Sequence, residues 1–170
     1  MQVHVAVLTV SDRSASGVRE DAGGPAVRET LKRHLNWDCE TVGVVADDRV
    51  AIAQQLREWV DDVRPQLLLT TGGTGFAPRD VTPEATRDVI EREAPGLMEA
   101  VRAASLKITP HAMLSRAVAG IRGQTLIVNL PGNPKAVRES LQILAPVLPH
   151  AVAVLTNSPV AEAGHRELLA

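Results

Sequence analysis

The residues best suited to chemistry lie in one stretch, residues 67–83. There a short apolar run ends in two threonines, a glycine-rich turn follows, and a basic and an acidic residue precede a Thr-Pro pair. A buried strand that opens into such a loop is how open α/β sheets bring backbone N–H groups to an anion. The glycines that permit this approach, because they lack a Cβ atom and adopt positive φ freely, are Gly72, Gly73 and Gly75. The stretch therefore predicts a loop that cradles an anionic group.

Side chains in the same stretch add to what the backbone offers. Thr71 and Thr74 supply hydroxyl donors, and the Asp80 carboxylate is a group that Mg²⁺ accepts beside a phosphate. The stretch lacks the Gly-Lys-Ser/Thr ending of a P-loop and the G-x-G-x-x-G spacing of dinucleotide sites. A tight turn at the edge of a sheet, with no ligand, is the alternative interpretation.

The composition excludes several classes of protein. A chain of 170 residues suggests one domain, and a net charge of −2 gives no electrostatic footprint for nucleic acid or an anionic membrane. Aromatic residues make up 2% of the chain, which argues against single-strand binding by base stacking. No apolar run reaches the ~18 residues of a membrane span. We therefore expect neither nucleic acid nor membrane as a partner.

The single cysteine, Cys39, excludes a disulfide within the chain, as is typical of a reducing cytoplasm. We interpret it as a small core residue of a strand rather than as a nucleophile. The first residues read directly into a strand, without the charged leader and cleavage site of a signal peptide. The expected location is therefore the cytoplasm.

Strand-like and helix-like segments alternate along the chain. The predicted strands are residues 3–10, Cys39–Val45 and Leu67–Thr71. Residues 117–121 and 125–129 either pair as a hairpin, or the second of them forms a central strand. The predicted helices begin at Pro25, after a cap at Asp47 or Asp48, at Thr82-Pro83 (running to about Glu93), at Gly96 (running to Ile108) and after residues 131–134.

This alternation predicts an α/β fold, a three-layer α/β/α sandwich with a mostly parallel sheet and room for one short hairpin. Residues 1–157 form its single domain, and residues 158–170 form a loosely held C-terminal tail. Polar loops at the carboxyl ends of the strands then meet at one edge of the sheet, at residues 11–24, 46–49, 72–82 and 131–133. We predict one shared site for an anion and a metal at that edge.

Some of these residues have simpler interpretations. Asp47 alternatively caps the helix that begins near Arg49, and Asp12 alternatively braces its own loop. Ser105 alternatively lies on the surface of a helix. Either Arg13 or Arg79 could add a bidentate contact to a phosphate. The histidines have no metal-ligand spacing and are interpreted as structural or solvated.

Five motifs follow one another along the chain: Thr-Val-Ser-Asp-Arg at residues 9–13, Thr-Thr-Gly-Gly-Thr-Gly at 70–75, Arg-Asp-Val-Thr-Pro-Glu-Ala-Thr at 79–86, Ser-Arg-Ala-Val-Ala-Gly at 115–120 and Asn-Leu-Pro-Gly-Asn-Pro-Lys at 129–135. In this order they resemble the MogA/MoaB family of molybdenum-cofactor biosynthesis, which includes the gephyrin G domain. The resemblance extends from Val3 to about Leu155. The form of residues 79–83 is similar to the catalytically competent branch.

The resemblance implies that ATP and molybdopterin give adenylyl-molybdopterin and pyrophosphate, with Mg²⁺ required. It implies a trimer, and it is compatible with hand-over of the product to a molybdate-inserting enzyme. The essential aspartates of the family correspond to Asp47 and Asp80, which are the expected catalytic and metal-binding residues. The serine on the molybdopterin side corresponds to Ser105. A non-catalytic molybdopterin-binding protein or an assembly module of the same fold are the alternatives.

Together, the motifs and the resemblance predict a set of nucleotide- and molybdopterin-binding residues. They are Ser11, Asp12, Thr71, Gly72, Gly73, Thr74, Gly75, Ser105, Pro131, Gly132 and Asn133.

Overall fold

The framework of the protein is one mixed sheet of six strands, as a computed structural model describes it for residues 3–158. The strands are β1 (Val5–Val10), β2 (Cys39–Val45), β3 (Leu67–Thr71), β4 (Arg92–Glu93), β5 (Ala119–Arg122) and β6 (Thr125–Leu130). Their spatial order is β2-β1-β3-β6-β5-β4. Strands β2, β1, β3 and β6 run parallel, whereas β5 is antiparallel to both of its neighbours.

The helices occupy both faces of this sheet. They are α1 (Asp12–Ala15), α2 (Gly23–Leu35), α3 (Arg49–Glu58), α4 (Thr82–Arg87), α5 (Pro95–Leu106), α6 (Pro134–Leu144) and α7 (Leu148–Leu155). A π-helical turn, Trp59–Val63, extends α3, and a 3₁₀ turn, Pro110–Leu114, follows α5. No helix in the described part of the chain is long and apolar enough to cross a membrane.

Two apolar cores, one on each face, hold the layers together. On one face α2, α5, α6 and α7 pack against the sheet, and on the other face α3 and α4 do so. All residues of β1, β3 and β6 are buried, because parallel strands at the centre of such a sheet are covered on both sides. The predicted three-layer α/β fold with a mostly parallel sheet is therefore confirmed.

Both alternatives predicted for residues 125–129 are found in the structure. β5 and β6 pair as a hairpin, and β6 also pairs with β3 at the centre of the sheet. Gly123 takes a φ of +55° in the turn between them, a conformation that favours glycine. β6 therefore carries residues 131–133 to the same edge of the sheet as the loops after β1 and β3.

The helix predicted from Thr82 to about Glu93 was wrong at its end. α4 ends at Arg87, and residues 91–94 turn back to the sheet instead, where Glu91 N–H donates to Ile121 O and Ala94 N–H donates to Ala119 O. Pairing with β5, which lies far away in sequence, has overridden the local helical pattern. This pairing fixes the short strand β4 at the far edge of the sheet.

Smaller differences concern where elements begin. β1 begins at Val5 rather than at residue 3, and residues 11–24, predicted as a loop, include α1 and the start of α2. Pro25 is thus the third residue of its helix. α4 begins at Thr82 itself, so the capping position before its first residue belongs to Val81 and not to Thr82. Residues 159–170, most of the predicted tail, lie outside the described residues.

Cys39 lies in the edge strand β2, half-buried against the larger apolar core. Burial raises the pKa of its thiol to about 11, so the thiolate is scarce at neutral pH. This agrees with its interpretation as a packing residue.

Candidate functional site

A polar cleft of about 660 Å³ opens at the carboxyl ends of the parallel strands. Ser11 and Asp12 follow β1, Asp47 follows β2, and Asp80 lies in the loop that follows β3. The other predicted site residues that line this cleft are Thr71, Gly72, Gly73, Gly132 and Asn133. Loops that are far apart in sequence therefore converge because the strands before them are parallel neighbours.

The glycine loop after β3 is fixed by close packing. Gly72 has a φ of +103°, and a Cβ atom there would lie 2.3 Å from Val10 O. Gly73 has a φ of +64°, and its Cβ would lie 2.4 Å from Thr82 Oγ1 and 3.2 Å from Asp47 Oδ1. Both positions therefore require glycine for backbone conformation and for space, independently of any ligand.

Thr82 ties this loop to the start of α4. Its hydroxyl donates to Gly72 O at 2.9 Å, and its N–H donates to Gly73 O at 3.1 Å. Among the described residues, the N–H groups of Gly73, Thr74 and Gly75 have no acceptor in the protein.

The two threonine hydroxyls have different environments from those expected. Thr71 Oγ1 donates to Pro131 O at 2.7 Å, so its hydrogen ties the loop after β6 to β3 and is not free for a ligand. Thr74 is buried, and its carbonyl accepts a hydrogen bond from Arg116 N–H at 2.9 Å. Asn133 caps α6 through its side-chain oxygen, which accepts from Lys135 N–H at 2.9 Å. Thr71 and Asn133 line the cleft, whereas Thr74 does not.

Asp12 and Asp47 exchange hydrogen bonds across the cleft floor. Asp12 N–H donates to Asp47 Oδ2 at 2.7 Å, and Asp47 N–H donates to Asp12 Oδ1 at 3.0 Å. Arg79 then clamps the Asp12 carboxylate with Nε and Nη2, at 2.6 and 2.8 Å. The Arg79 guanidinium is therefore bound to Asp12, whereas Arg13 is exposed on the wall of the cleft.

The surroundings of Asp12 and Asp47 shift the pKa values of these two carboxyl groups in opposite directions. Burial raises the pKa of Asp47, and the negative charges of Asp12 and Asp80 raise it further. The hydrogen bond from Asp12 N–H and the positive charge of Arg79 act in the opposite direction but do not cancel the rise. The hydrogen bond from Arg79 lowers the pKa of Asp12. A partly buried carboxylate with a raised pKa in a cleft is a candidate functional group.

The structure excludes one of the two interpretations of Asp47, that of a helix cap. The residue that caps α3 is Asp48, whose side chain accepts from Ala51 N–H at 2.8 Å. Asp47 is therefore not the helix cap, and its Oδ1 accepts no hydrogen bond from the described residues. Asp80 accepts from Ala77 N–H through Oδ2 at 2.9 Å, and its other carboxylate oxygen has no such partner in the described chain.

A second cavity of about 290 Å³ adjoins the glycine loop on the side of α5 and α6. Its wall is mostly apolar and includes Met98, Val101 and Leu114. The predicted site residues Thr74, Gly75, Ser105 and Pro131 line this cavity rather than the polar cleft. The predicted set is thus divided between two chambers, and the loop of residues 72–75 contributes to both.

Sequence reasoning missed the walls of the second cavity. Met98, Val101 and Leu114 belong to α5 and the turn after it, and their spacing reads as the apolar face of a helix. Ser115 also lines the cavity, and it stands in a motif that was quoted for the resemblance without a role. Together with Ser105, that motif is the signal in the sequence that points to this region.

Comparison with known proteins gives a consistent result. Residues 6–150 match the family model described as a probable molybdopterin binding domain. A Helicobacter pylori (strain J99) protein named molybdopterin adenylyltransferase is 45% identical over 157 residues, covering 92% of this chain and 89% of that protein. The Escherichia coli K12 protein of the same name is 46% identical over 142 residues, covering 82% and 72%. Gephyrin from Dictyostelium discoideum is 44% identical over 164 residues, but the chain spans 23% of its length.

Solved structures agree with these sequence matches. The molybdopterin biosynthesis enzyme MoaB from Thermus thermophilus superposes with a TM-score of 0.86 at 49% identity, covering 92% of this chain and 98% of that one. The molybdopterin biosynthesis Mog protein from Mycobacterium ulcerans superposes with a TM-score of 0.82 at 40% identity, covering 90% and 99%. The chain belongs to the MogA/MoaB family of molybdenum-cofactor biosynthesis proteins.

Proposed function

We propose that this protein transfers the adenylyl group of Mg²⁺-ATP to the terminal phosphate of molybdopterin and releases pyrophosphate. The observation that carries the proposal is the pair of adjoining chambers, one polar with carboxylates and one apolar, which share the glycine loop. A substrate with a ring system at one end and a phosphate at the other matches this division. The names of relatives that align over most of this chain support the same reaction.

The unpartnered N–H groups of residues 73–75 support an anion at the junction of the chambers. Buried backbone N–H groups normally have an acceptor, and Thr74 is buried. A phosphate oxygen is an acceptor that would satisfy several of them at once. We therefore assign the phosphate at which transfer takes place to this loop.

The donor set at the cleft fits Mg²⁺. Among the described residues no group of three or more His, Cys, Asp or Glu side chains could hold a metal ion by itself. Mg²⁺ differs from metals held in such cages, because it takes one or two carboxylates together with substrate phosphates and water. Asp47 and Asp80, each with one carboxylate oxygen free of contacts from the described residues, would supply those ligands. When bound, Mg²⁺ neutralises charge on the phosphate oxygens.

The transfer itself asks little covalent work of the protein. An oxygen of the molybdopterin phosphate forms a bond to the α-phosphorus of ATP. The bond from the α-phosphorus to the oxygen that bridges it to the β-phosphorus breaks, and that oxygen leaves with pyrophosphate. The attacking oxygen is already anionic, so no side chain needs to remove a proton. The task of the residues is to hold the α-phosphate in line and to stabilise the charge that leaves with pyrophosphate.

The second chamber suits the ring system of molybdopterin. Binding sites for flat ligands are mostly apolar and contain a few polar groups that fix orientation. Here Met98, Val101 and Leu114 form the apolar wall, and Ser105 and Ser115 supply hydroxyl groups. We assign the pterin to this chamber and the nucleotide to the polar cleft.

The experiment that tests the proposal is release of pyrophosphate from Mg²⁺-ATP by the wild-type protein, with and without molybdopterin. We expect release that requires molybdopterin. A protein that binds molybdopterin tightly by calorimetry but releases no pyrophosphate would instead be the non-catalytic binding protein. Failure to bind either ligand would leave the role of an assembly module.

We also propose that the protein forms a homotrimer, as the family resemblance implies. Large apolar side chains are exposed at several places on the described surface, including Phe76, Ile108 and Met113. Exposed apolar groups of this size often mark an interface between subunits. Light scattering at micromolar concentration tests this, and a stable particle near 18.1 kDa, the mass of one chain, would contradict it.

A further inference from the structure

Arg116 lies behind the glycine loop and holds it from outside both chambers. Its Nε donates to Gly75 O at 2.7 Å, and its Nη2 donates to Asp80 O. Its Nη1 contacts the Glu84 carboxylate in α4, and its own N–H donates to Thr74 O at 2.9 Å. A single side chain therefore joins the glycine loop, the Asp80 main chain and the helix that follows.

The segment of residues 75–80, whose two ends Arg116 joins, has one other long-range side-chain contact in residues 3–158, from Arg79 to Asp12. Ala77 N–H donates to Asp80 Oδ2 and Asp80 N–H donates to Ala77 O, both at 2.9 Å, which makes one small turn. Residues 76–79 are exposed, and within the described chain the Arg116 guanidinium is the one side-chain donor to the carbonyls of Gly75 and Asp80. One rigid guanidinium therefore joins the two ends of this segment.

The charge of Arg116 is itself fixed in place by Glu84. Glu84 Oε2 is buried without a hydrogen bond in the described chain, so the carboxylate relies on Arg116 at its other oxygen. Burial, the largest single effect, acts to raise the pKa of Glu84, but the hydrogen bond from Arg116, a backbone hydrogen bond and the charges of Arg116 and Arg87 together outweigh it, so the pKa is lowered. Arg116 and Glu84 are thus both charged at neutral pH, and their ion pair holds the Arg116 guanidinium in one orientation.

We propose that Arg116 is a positioning residue that sets where Asp80 stands relative to the loop of residues 72–75. The inference rests on the proposed adenylyl transfer, in which Asp80 holds Mg²⁺. A planar guanidinium can donate to two carbonyls and a carboxylate at fixed spacing, whereas a lysine ammonium is a single point on a flexible stem. Arg116→Lys therefore keeps the charge but loses the spacing.

The chain offers a matched control in Arg122. That residue also binds a carboxylate, here Asp61 through Nε and Nη2 at 3.1 and 2.9 Å, and its Nη1 donates to one backbone carbonyl, Val89 O, at 3.4 Å. The two side chains are similarly exposed, 34% for Arg116 and 27% for Arg122. Arg122 lies at the turn between β5 and β6, outside both chambers.

The experiment measures the Mg²⁺ concentration for half-maximal pyrophosphate release in wild type, Arg116→Lys and Arg122→Lys. We expect Arg116→Lys to need several-fold more Mg²⁺ and to lose roughly tenfold to a hundredfold in kcat/KM, since a shift near 1 Å has that effect. Arg122→Lys should stay within about twofold of wild type in both quantities. If Arg116→Lys is folded and has the wild-type Mg²⁺ requirement, the proposal is overturned.

Hydrogen exchange separates this inference from the proposed function. In the absence of ligands, the hydrogen-bonded amides of Ala77, Asp80 and Thr82 should exchange faster in Arg116→Lys and at the wild-type rate in Arg122→Lys, whether or not the protein turns over. If Arg116→Lys does not fold, Glu84→Gln, which keeps an acceptor for Arg116 but removes the charge, should change exchange and Mg²⁺ requirement in the same direction by a smaller factor. Unchanged exchange in every folded variant would overturn the proposal.

Discussion

The polar cleft and the apolar cavity meet at one glycine loop, but they are built from different parts of the chain. Loops at the carboxyl ends of parallel strands form the cleft and bring Asp12, Asp47 and Asp80 together. The faces of α5 and α6 form much of the cavity, where the exposed wall is mostly apolar and Ser105 is one of several polar residues. One chamber suits charge and phosphate, and the other suits a ring.

This difference implies that the two chambers should fail separately. Damage to the carboxylates of the cleft should stop transfer and leave the binding of a ring intact. Damage to the cavity should weaken molybdopterin binding and leave ATP binding intact. Damage to the shared loop should affect both ligands, because its N–H groups face the junction.

We expect the largest effect from Asp80→Asn in the cleft. The amide is nearly isosteric and can still accept from Ala77 N–H, but it is a poor ligand for Mg²⁺. A metal contact of this kind is worth several kcal/mol at the transition state, so turnover should fall by about a hundredfold or more. Molybdopterin affinity, measured by calorimetry, should stay within about twofold. Turnover near the wild-type rate would reduce Asp80 to a residue that braces its loop.

The cleft was predictable because its signal is contiguous. β2 and β3 have the predicted bounds, and the glycine loop, Asp80 and α4 follow β3 directly in sequence. Turn-forming glycines after an apolar run have a local cause, so they can be read without a structure. The division of the predicted site residues between two chambers could not be read in this way.

The cavity was hidden because its walls look like ordinary packing. Val101 and Leu114 are partly or fully exposed in the monomer, but in sequence they continue the apolar pattern of a helix and its turn. The wrong end of the helix from Thr82 has the same origin, since residues 91–94 pair with a strand about 25 to 30 residues away. What escaped prediction in both cases depends on contacts between distant segments.

The second largest effect is expected at the shared loop. Gly73→Ala would place a methyl group 2.4 Å from Thr82 Oγ1 at a positive φ, so the loop must shift. We expect both ATP and molybdopterin to bind about fivefold to a hundredfold more weakly, because strain of roughly 1–3 kcal/mol corresponds to that range.

Gly123→Ala is the matched control for the loop variant. Gly123 also has a positive φ, +55°, but a Cβ atom there would meet nothing within 4 Å. It should therefore show the backbone penalty in its melting temperature and bind both ligands normally. If Gly73→Ala loses affinity for one ligand only, the loop does not serve both chambers.

A smaller and selective effect is expected in the cavity. Ser105→Leu would fill part of the 290 Å³ chamber and remove a hydroxyl group, so molybdopterin should bind roughly tenfold more weakly. ATP affinity should not change. Ala103→Leu, at an exposed position of the same helix, controls for the larger side chain and should bind both ligands normally. If Ser105→Leu binds molybdopterin with wild-type affinity, Ser105 is a surface residue of its helix without a role in binding.

The smallest change in stability, with a distinctive sign, is expected for Asp47→Asn. Because burial, first of all, raises the pKa of Asp47 in the folded protein, the fold favours its protonated form. The stabilisation from this group is complete below the unfolded pKa near 3.8 and is lost as pH rises through the higher folded pKa. Asn cannot ionise and can still accept from Asp12 N–H. At pH 7 the melting temperature of Asp47→Asn should therefore equal or slightly exceed that of wild type.

Asp12→Asn should behave in the opposite way, which makes it the control. The hydrogen bond from Arg79 lowers the pKa of Asp12, so its stabilisation is present above the unfolded pKa and is lost as pH falls through the folded one. At pH 7 this variant should melt below wild type, and the difference should vanish in acid. For Asp47→Asn, by contrast, turnover should fall by roughly ten- to a hundredfold while stability is kept, as expected for a residue that holds or orients a metal ligand. If thermal melts and pyrophosphate release both match wild type in Asp47→Asn, the cleft has one functional carboxylate, Asp80, and not two.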